Sequence, residues 1–224
     1  MTTDDTTDRL LVCDVCDTLY RSNTTADFVR YVVERRGSVW RRAAYAAVMR
    51  RWSPVFLGSA VLYKAARVDV GRRLLIGLLR GFEREELEEL GASFVDEVLG
   101  ARRVEETHRR VEEALERGDR VLLASASVDA VVDAVAEKLG VEAVSSQLDY
   151  DDDGRCTGRL AFYAKGRKLA PVRERLEDGM QLTVMTDNVS DRGLLEAAHE
   201  PIVVLRRPEH RSRWEGLEAE FIST

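Results

Sequence analysis

Three short apolar segments of this 224-residue chain each end abruptly in polar residues. A short, continuous apolar run with polar ends is typical of a β-strand that is buried on both faces. Stretches with apolar residues at helical spacing follow the second and the third run. The three strand-like segments are Arg9–Cys13, Arg120–Ser125 and Gln181–Thr186. This alternation of strands and helices predicts the α/β class, with a doubly wound parallel sheet of Rossmann-like architecture.

Further elements complete the expected sheet. Residues 141–148 and 159–163 are extended and flank an acidic turn at Gly154, which predicts a hairpin. Gly140 is expected to end the helix that precedes this hairpin. Ile202–Leu205 is expected to form the last strand. The expected helices are Val128–Leu139, Lys168–Leu176 and Ser190–Ala198.

A long segment between the first two strands has no strand pattern. From Ala26 to about Arg117, apolar residues recur at helical spacing instead. Neighbouring strands need no crossover of that length, and long loops without their own structure are uncommon. We therefore predict an inserted all-α cap domain at residues 23–114. The core domain is then discontinuous and consists of residues 1–22 and 115–224.

Composition limits the classes of function. Hydrophobic residues make up 45% and charged residues 33% of the chain, which excludes a disordered protein. A formal net charge of -6 argues against a general nucleic-acid binder. No apolar run approaches the roughly 18 residues that span a bilayer, and Met1–Asp8 has no signal-peptide core. Since the three cysteines form no disulfide framework, we expect a reducing compartment, the cytoplasm.

Polar side chains follow the three strands at the edge where open parallel sheets bind ligands. Carboxylates from two strands would bind a hard cation such as Mg²⁺. A hydroxyl, a lysine and helix N-terminal amides would hold a phosphoryl group, and an aspartate can attack phosphorus. Each residue alone could equally be a strand end or a helix cap. In chain order the set is Asp14, Cys16, Ser125, Ser127, Asp187, Asn188 and Asp191.

The order and spacing of this set resemble the haloacid dehalogenase superfamily, in its phosphoserine-phosphatase-like branch with a helical cap. That superfamily has an Asp-x-Asp-x-Thr motif after a strand, then a Ser or Thr at a strand end. A lysine that opens a helix follows, and then a strand followed by two aspartates. The four motifs correspond to Asp14-Val-Cys16-Asp-Thr18, to Ser125, to Lys168 with Lys165 as the alternative, and to Asp187 with Asp191.

The resemblance implies an Mg²⁺-dependent phosphohydrolase that acts on a small or lipid phosphomonoester through an aspartyl-phosphate. Asp14 would be the nucleophile, and Thr18 would brace the first loop. Asp191 would orient both the metal shell and Lys168. The implied catalytic residues are Asp14, Cys16, Ser125 and Lys168. The implied phosphate-binding residues are Ser125, Lys168 and Thr18. The implied metal site consists of Asp14, the backbone carbonyl of Cys16, Asp187 and Asp191.

Cys16 departs from this pattern, because the superfamily's phosphatases have an acid/base aspartate two residues after the nucleophile. A thiol has an ordinary pKa of about 8.5, so we expect turnover to rise with pH toward its ionisation. Asp17 is not expected to substitute, because neighbouring side chains diverge in extended chain. Two alternatives remain. One is a catalytically weak phosphate-binding or regulatory protein, and the other is C–P or C–halogen hydrolysis. Dehalogenation needs no metal ion, so the presence of both Asp187 and Asp191 argues against it.

The expected cap carries an uneven charge. Residues 30–80 contain twelve Lys and Arg against two acids, whereas residues 81–120 contain thirteen acids against seven Arg. The basic half also contains aromatic residues, which favours either peripheral contact with an anionic membrane or a basic lid over an anionic substrate. The oligomeric state is left open. The aromatic residues are Trp40, Tyr45, Trp52, Phe56 and Tyr63.

Overall fold

A computed structural model describes residues 8–50 and 69–223 of the chain. Its described strands form one seven-stranded sheet, in which the third and fourth strands are antiparallel and all other neighbours are parallel. The predicted α/β class with a Rossmann-like sheet is therefore confirmed. The strands are β1 Arg9–Cys13, β2 Arg120–Val128, β3 Glu142–Tyr150, β4 Cys156–Phe162, β5 Gln181–Thr186, β6 Glu200–Leu205 and β7 Glu220–Ser223. Their order across the sheet is β4-β3-β2-β1-β5-β6-β7.

Helices fill most of the described chain between β1 and β2, and shorter helices follow the later strands. A π-helical turn, Val95–Leu99, and a 3-10 turn, Gly100–Arg102, continue the fourth α-helix. Two more 3-10 segments are Val189–Asp191 and Pro208–Trp214. The α-helices are α1 Thr24–Arg36, α2 Val39–Met49, α3 Val70–Gly77, α4 Arg84–Phe94, α5 Glu105–Glu116, α6 Asp129–Leu139, α7 Leu169–Arg173 and α8 Arg192–Leu195.

Three elements differ most from the sequence-based expectation. β7 was not expected, because only Ile222 of its four residues is buried and its strand character comes from pairing with β6. The helix expected at Ser190–Ala198 is instead a 3-10 turn followed by the four-residue α8. The helix expected at Lys168–Leu176 is only the five residues of α7. Short elements of this kind depend on tertiary packing more than on local pattern.

Two hydrophobic clusters cover the two faces of the sheet. Alternate residues of β1 point to opposite faces, so Leu11 and Cys13 belong to one cluster and Leu10 and Val12 to the other. The first cluster also contains core residues of α1, α4 and α6, and the second contains those of α7, α8 and the segment Pro208–Trp214. Burial on both faces explains why the central strands read as continuous apolar runs.

The inserted helices share the first cluster with the sheet. Phe28 of α1 and Phe94 of α4 are fully buried, and they belong to the same cluster as Leu123 of β2. Helices α1 and α4 are therefore packed onto the sheet. The division of the chain into a core and a separate cap at residues 23–114 stays a prediction.

Gly91 allows α4 and α6 to approach closely. A Cβ at this helical position would lie 1.9 Å from the backbone oxygen of Ala130. We predict that Gly91→Ala lowers the free energy of unfolding by about 1–3 kcal/mol, because the helices must separate to admit a methyl group. Urea denaturation measures the change. Gly77→Ala is the matched control, since a Cβ there meets no atom within 4 Å. Equal stability of the two variants would contradict this account.

Candidate active site

The candidate site lies where β1 and β5 end side by side. The two strands pair in parallel from Arg9 to Cys13. The backbone N–H of Asp14 then donates to the carbonyl oxygen of Met185 at 3.0 Å, which extends the pairing by one residue. This bond brings the loop after β1 against the loop that begins at Asp187. The expected meeting of the two polar loops at the carboxyl edge therefore occurs.

A buried lysine joins the two loops. The ammonium Nζ of Lys168 donates to Asp14 Oδ2 at 2.9 Å and to Asp191 Oδ2 at 2.5 Å. All three residues are buried. Burial by itself would lower the pKa of Lys168, but the carboxylates of Asp14 and Asp191 outweigh it and raise that pKa. The ammonium therefore stays charged and carries the positive charge of the site.

Hydroxyl groups hold the carboxylates in place. Thr186 Oγ1 donates to Asp191 Oδ2 at 3.1 Å, and the backbone N–H of Val15 donates to Asp14 Oδ1 at 2.7 Å. Thr18 Oγ1 accepts from the backbone N–H of Asp187 at 3.0 Å. Thr18 thus contacts the Asp187 loop, which fits the bracing role expected for it.

Asp187 forms no ion pair with any residue that the structure describes. Burial first, and then the negative charges of Asp14 and Asp17, raise the pKa of Asp187 to about 8. No cluster of three or more His, Cys, Asp or Glu side chains in a metal-binding arrangement occurs within residues 8–50 and 69–223. Because Asp191 Oδ2 accepts from Lys168 and Thr186, the implied direct ligands of Mg²⁺ are two carboxylates, Asp14 and Asp187, and the backbone carbonyl of Cys16. Hard oxygen donors, and a carboxyl group at Asp187 that a bound cation would keep ionised, fit Mg²⁺.

A cavity of about 360 Å³ opens at this edge of the sheet. Asp14 and Asp187 line it, and so does Ser127. Ser125 is fully buried, and its Oγ accepts the backbone N–H of Ser127 at 3.3 Å. Lys168 contacts Asp14, whereas the alternative Lys165 lies in the cavity wall. The described lining residues are Asp14, Cys16, Asp17, Asn23, Thr25, Arg72, Ala126, Ser127, Lys165, Asp187, Asn188, Val189 and Arg213.

The thiol of Cys16 is not available for proton transfer near neutral pH. Its Sγ donates to the backbone carbonyl of Ser22 at 3.0 Å. Burial, and next the negative charge of Asp14, raise the pKa of Cys16 to about 12. The ordinary thiol pKa of about 8.5, on which the expected rise of turnover was based, therefore does not apply to Cys16.

Asp17 lies at the cavity, contrary to the expectation from extended chain. Its φ of 54° is in the left-handed region, which turns the side chain away from the direction it would have in a strand. Its Oδ2 accepts from Arg206 Nη1 at 2.7 Å. The error came from assuming an extended backbone, and the Asp-Thr dipeptide gave no signal of the turn.

Arg72 is a cavity residue that the sequence did not single out. From the start of α3, its Nη2 donates to Thr25 Oγ1 at 2.8 Å and to the carbonyl oxygen of Ala126 at 2.6 Å. Its guanidinium lies 5.0 Å from the ring centre of Tyr163. Nothing in the sequence distinguishes Arg72 from the many other arginines of this segment. Its place at the cavity is decided by how α3 packs.

A model of one protein family matches most of the chain. The family is the haloacid dehalogenase-like hydrolases, and the match covers residues 11–196. The chain belongs to this family. This membership confirms the family resemblance. Within the described residues, no helix is long and apolar enough to cross a membrane.

A curated relative from Streptomyces azureus is named "Inhibition of morphological differentiation protein". It is 28% identical over 152 residues, which are 65% of this chain and 54% of the relative. The match thus spans about half the length of that protein.

Two solved structures share the fold of this haloacid dehalogenase-like hydrolase. A protein of unknown function from Bordetella pertussis Tohama I has a TM-score of 0.77 at 22% identity, over 97% of this chain and 99% of its own. A substrate-bound phosphoserine phosphatase has a TM-score of 0.60 at 18% identity, over 96% of this chain and 92% of its own. At these identities the likeness concerns the fold.

Proposed function

We propose that this protein is an Mg²⁺-dependent phosphomonoesterase that acts through an aspartyl-phosphate on Asp14. The observation that carries the proposal is the buried contact of Lys168 with Asp14 and Asp191 beside an open polar cavity. A charged lysine next to a carboxylate nucleophile suits an anionic substrate, because it offsets the repulsion between the carboxylate and the phosphoryl oxygens. Family membership and the phosphatase-like fold agree with this reaction class.

The proposed reaction has two displacements at phosphorus. A carboxylate oxygen of Asp14 attacks phosphorus, the bond from phosphorus to the ester oxygen breaks, and the leaving alkoxide takes a proton from solvent water. Water then attacks the aspartyl-phosphate, which releases inorganic phosphate and restores Asp14. During both steps, Lys168 would offset the negative charge of the phosphoryl oxygens, and the hydroxyl of Ser125 would orient them by a hydrogen bond.

Mg²⁺ would be held by Asp14, the backbone carbonyl of Cys16 and Asp187. When bound, it would supply positive charge to the phosphoryl group beyond that of Lys168. Asp191 accepts hydrogen bonds from Lys168 and Thr186 through Oδ2, so its contribution would be to position Lys168 and the surrounding shell. The substrate class is a small or lipid phosphomonoester.

Replacement of the nucleophile tests the reaction. We predict that Asp14→Asn lowers hydrolysis of a generic phosphomonoester by at least about a thousandfold, because it removes both the nucleophile and a metal ligand. Steady-state release of phosphate with and without Mg²⁺ is the measurement, and circular dichroism checks the fold. Asp152→Asn, in the exposed acidic turn, is the control and retains activity. Activity of Asp14→Asn equal to that of the wild type would overturn the assignment of the site.

Mg²⁺ binding should depend on pH through Asp187. Its raised pKa of about 8 means that below this pH a proton occupies the carboxylate in the metal-free protein. Bound Mg²⁺ must displace that proton, so we predict about tenfold tighter binding per pH unit up to about pH 8, and little change above it. Calorimetric titration with Mg²⁺ from pH 6 to pH 9 measures this. The same affinity at all pH values would contradict the role of Asp187, and loss of binding in Asp152→Asn would place the cation in the acidic turn.

A second candidate function is phosphate binding with little turnover. The thiol of Cys16 is bonded to Ser22 and stays protonated, so the proton transfers of both displacements have no assistance from this position. Such assistance typically contributes about 10²–10⁴-fold to a rate. No feature of the described residues favours hydrolysis of a C–P or C–halogen bond.

The two candidates are separated by variants at Cys16. We predict that Cys16→Asp raises the hydrolysis rate of a generic phosphomonoester by about 10²-fold or more, because a carboxyl group can exchange protons near neutral pH. Cys16→Ala should match the wild type from pH 7 to pH 9, since the thiol takes no part in proton transfer. A faster wild type than Cys16→Ala would show that the thiol does act. If Cys16→Asp gains nothing, proton transfer at this position is not what limits the rate.

Peripheral contact with a membrane would give the active site access to a lipid phosphomonoester. Much of the basic, aromatic segment that led to this idea, residues 51–68, lies outside the described residues. In the described part, Val39 and Trp40 on α2 are 78% and 84% exposed. An exposed tryptophan on a helix in a basic segment suits the interface of an anionic bilayer.

A further inference from the structure

A second cavity adjoins the active-site cavity. A crevice of about 90 Å³ has Asp187 and Arg213 in common with the active-site cavity. The same crevice has Arg206 and His210 in common with a cavity of about 320 Å³. We call the latter the arginine cavity. Its described lining residues are Arg21, Arg206, Arg207 and His210.

The sheet topology explains this position. Arg206 and Arg207 directly follow β6, which pairs in parallel with β5. Arg21 lies in the loop after β1. The carboxyl ends of parallel strands meet at one edge of a sheet, so these arginines lie at the same edge as Asp14.

Two of the three guanidinium groups are available to a ligand. Arg206 donates to Asp17, and this carboxylate compensates the charge of the Arg206 guanidinium. Arg207 reaches Glu209 only at 3.8 Å, with both side chains well exposed, and such an ion pair contributes little. Arg21 is exposed and forms no ion pair with any described residue. No carboxylate of the described chain lines the arginine cavity.

These groups select an anion. A guanidinium presents a planar fork of donors that matches a phosphate or a carboxylate, and two such forks with a histidine supply several donors in one space. Because the crevice shares lining residues with both cavities, one ligand that extends along it would reach both Asp14 and the arginine cavity. A ligand along this path would pass Arg213, which adds another positive charge.

We propose that the arginine cavity binds a second anionic group of the substrate, either a phosphate or a carboxylate. This inference rests on the proposed phosphomonoesterase function and specifies its substrate class. The substrate would be a phosphomonoester with a further anion at the far end of a linker that lies in the crevice. Arg21 and Arg207 are then specificity residues, and Asp14 and Lys168 act on the scissile phosphate.

Alkyl phosphates with a phosphonate at the far end test the proposal, with plain alkyl phosphates of equal length as the reference. Because the C–P bond survives phosphomonoester hydrolysis, each molecule has one scissile end. We expect kcat/KM to be about tenfold or more higher with the phosphonate at one optimal linker length. In Arg21→Ala/Arg207→Ala this ratio should fall toward one. The charge-matched control, Arg159→Ala/Arg173→Ala, replaces exposed arginines that line none of the three cavities and should keep the ratio.

A binding measurement separates this inference from the proposed function. Calorimetry compares α,ω-alkane bisphosphonates with alkane monophosphonates, neither of which is hydrolysed. Tighter binding of the bisphosphonate that disappears in Arg21→Ala/Arg207→Ala supports the arginine cavity even if the protein hydrolyses no monoester. Equal affinities at every linker length overturn it, even if the protein is an active phosphatase.

The same assay distinguishes a linked anion from a free one. Methylphosphonate added to a plain alkyl phosphate supplies the anion without the linker. If it raises kcat/KM as much as the linked phosphonate does, the cavity is a site for a separate anion and the proposed substrate class is wrong. No effect of free methylphosphonate, together with an optimal linker length, supports the linked substrate.

Discussion

The buried ammonium of Lys168 is the interaction on which the site depends. It lies between Asp14, which follows β1, and Asp191, which ends the turn after β5. Without it, two buried carboxylates would face each other with no compensating charge, and one of them would have to take up a proton. Removing three charged groups from water costs several kcal/mol per ion, so such an arrangement is poor evidence for stability. It is better understood as a device that holds Asp14 in position and presents positive charge to an anionic ligand.

The sheet makes this contact possible. Parallel pairing of β1 with β5 brings two acidic loops to one edge, and apolar clusters on both faces keep water away from the strands behind them. The same edge continues through β6 to Arg206 and Arg207. Negative charge is therefore concentrated at the ends of the central strands, and positive charge lies beside it. An anionic ligand that meets Lys168 at one end finds further cations at the other.

The sequence was most informative where local pattern and burial agree. β1 and β5 have the predicted bounds because continuous apolar runs are what strands buried on both faces require. β7 was missed because its four residues carry no such run and depend on β6 for their pairing. The extended backbone assumed at Asp17 was wrong, because its φ of 54° lies in the left-handed region and the residue lines the cavity.

The sequence by itself determined which chemical groups follow each strand and in which order. The end of an apolar run marks the end of a buried strand, and the polar residues that come next are therefore known. The sequence therefore determined the α/β sheet, the acidic edge and the departure at Cys16. Only the tertiary structure decided that Lys168 contacts Asp14, that the Cys16 thiol donates to Ser22, and that Arg72 reaches the cavity. Only it brought Arg21 beside Arg207. The physical reason is that side-chain contacts across distant loops depend on backbone turns and helix packing, which no local spacing encodes.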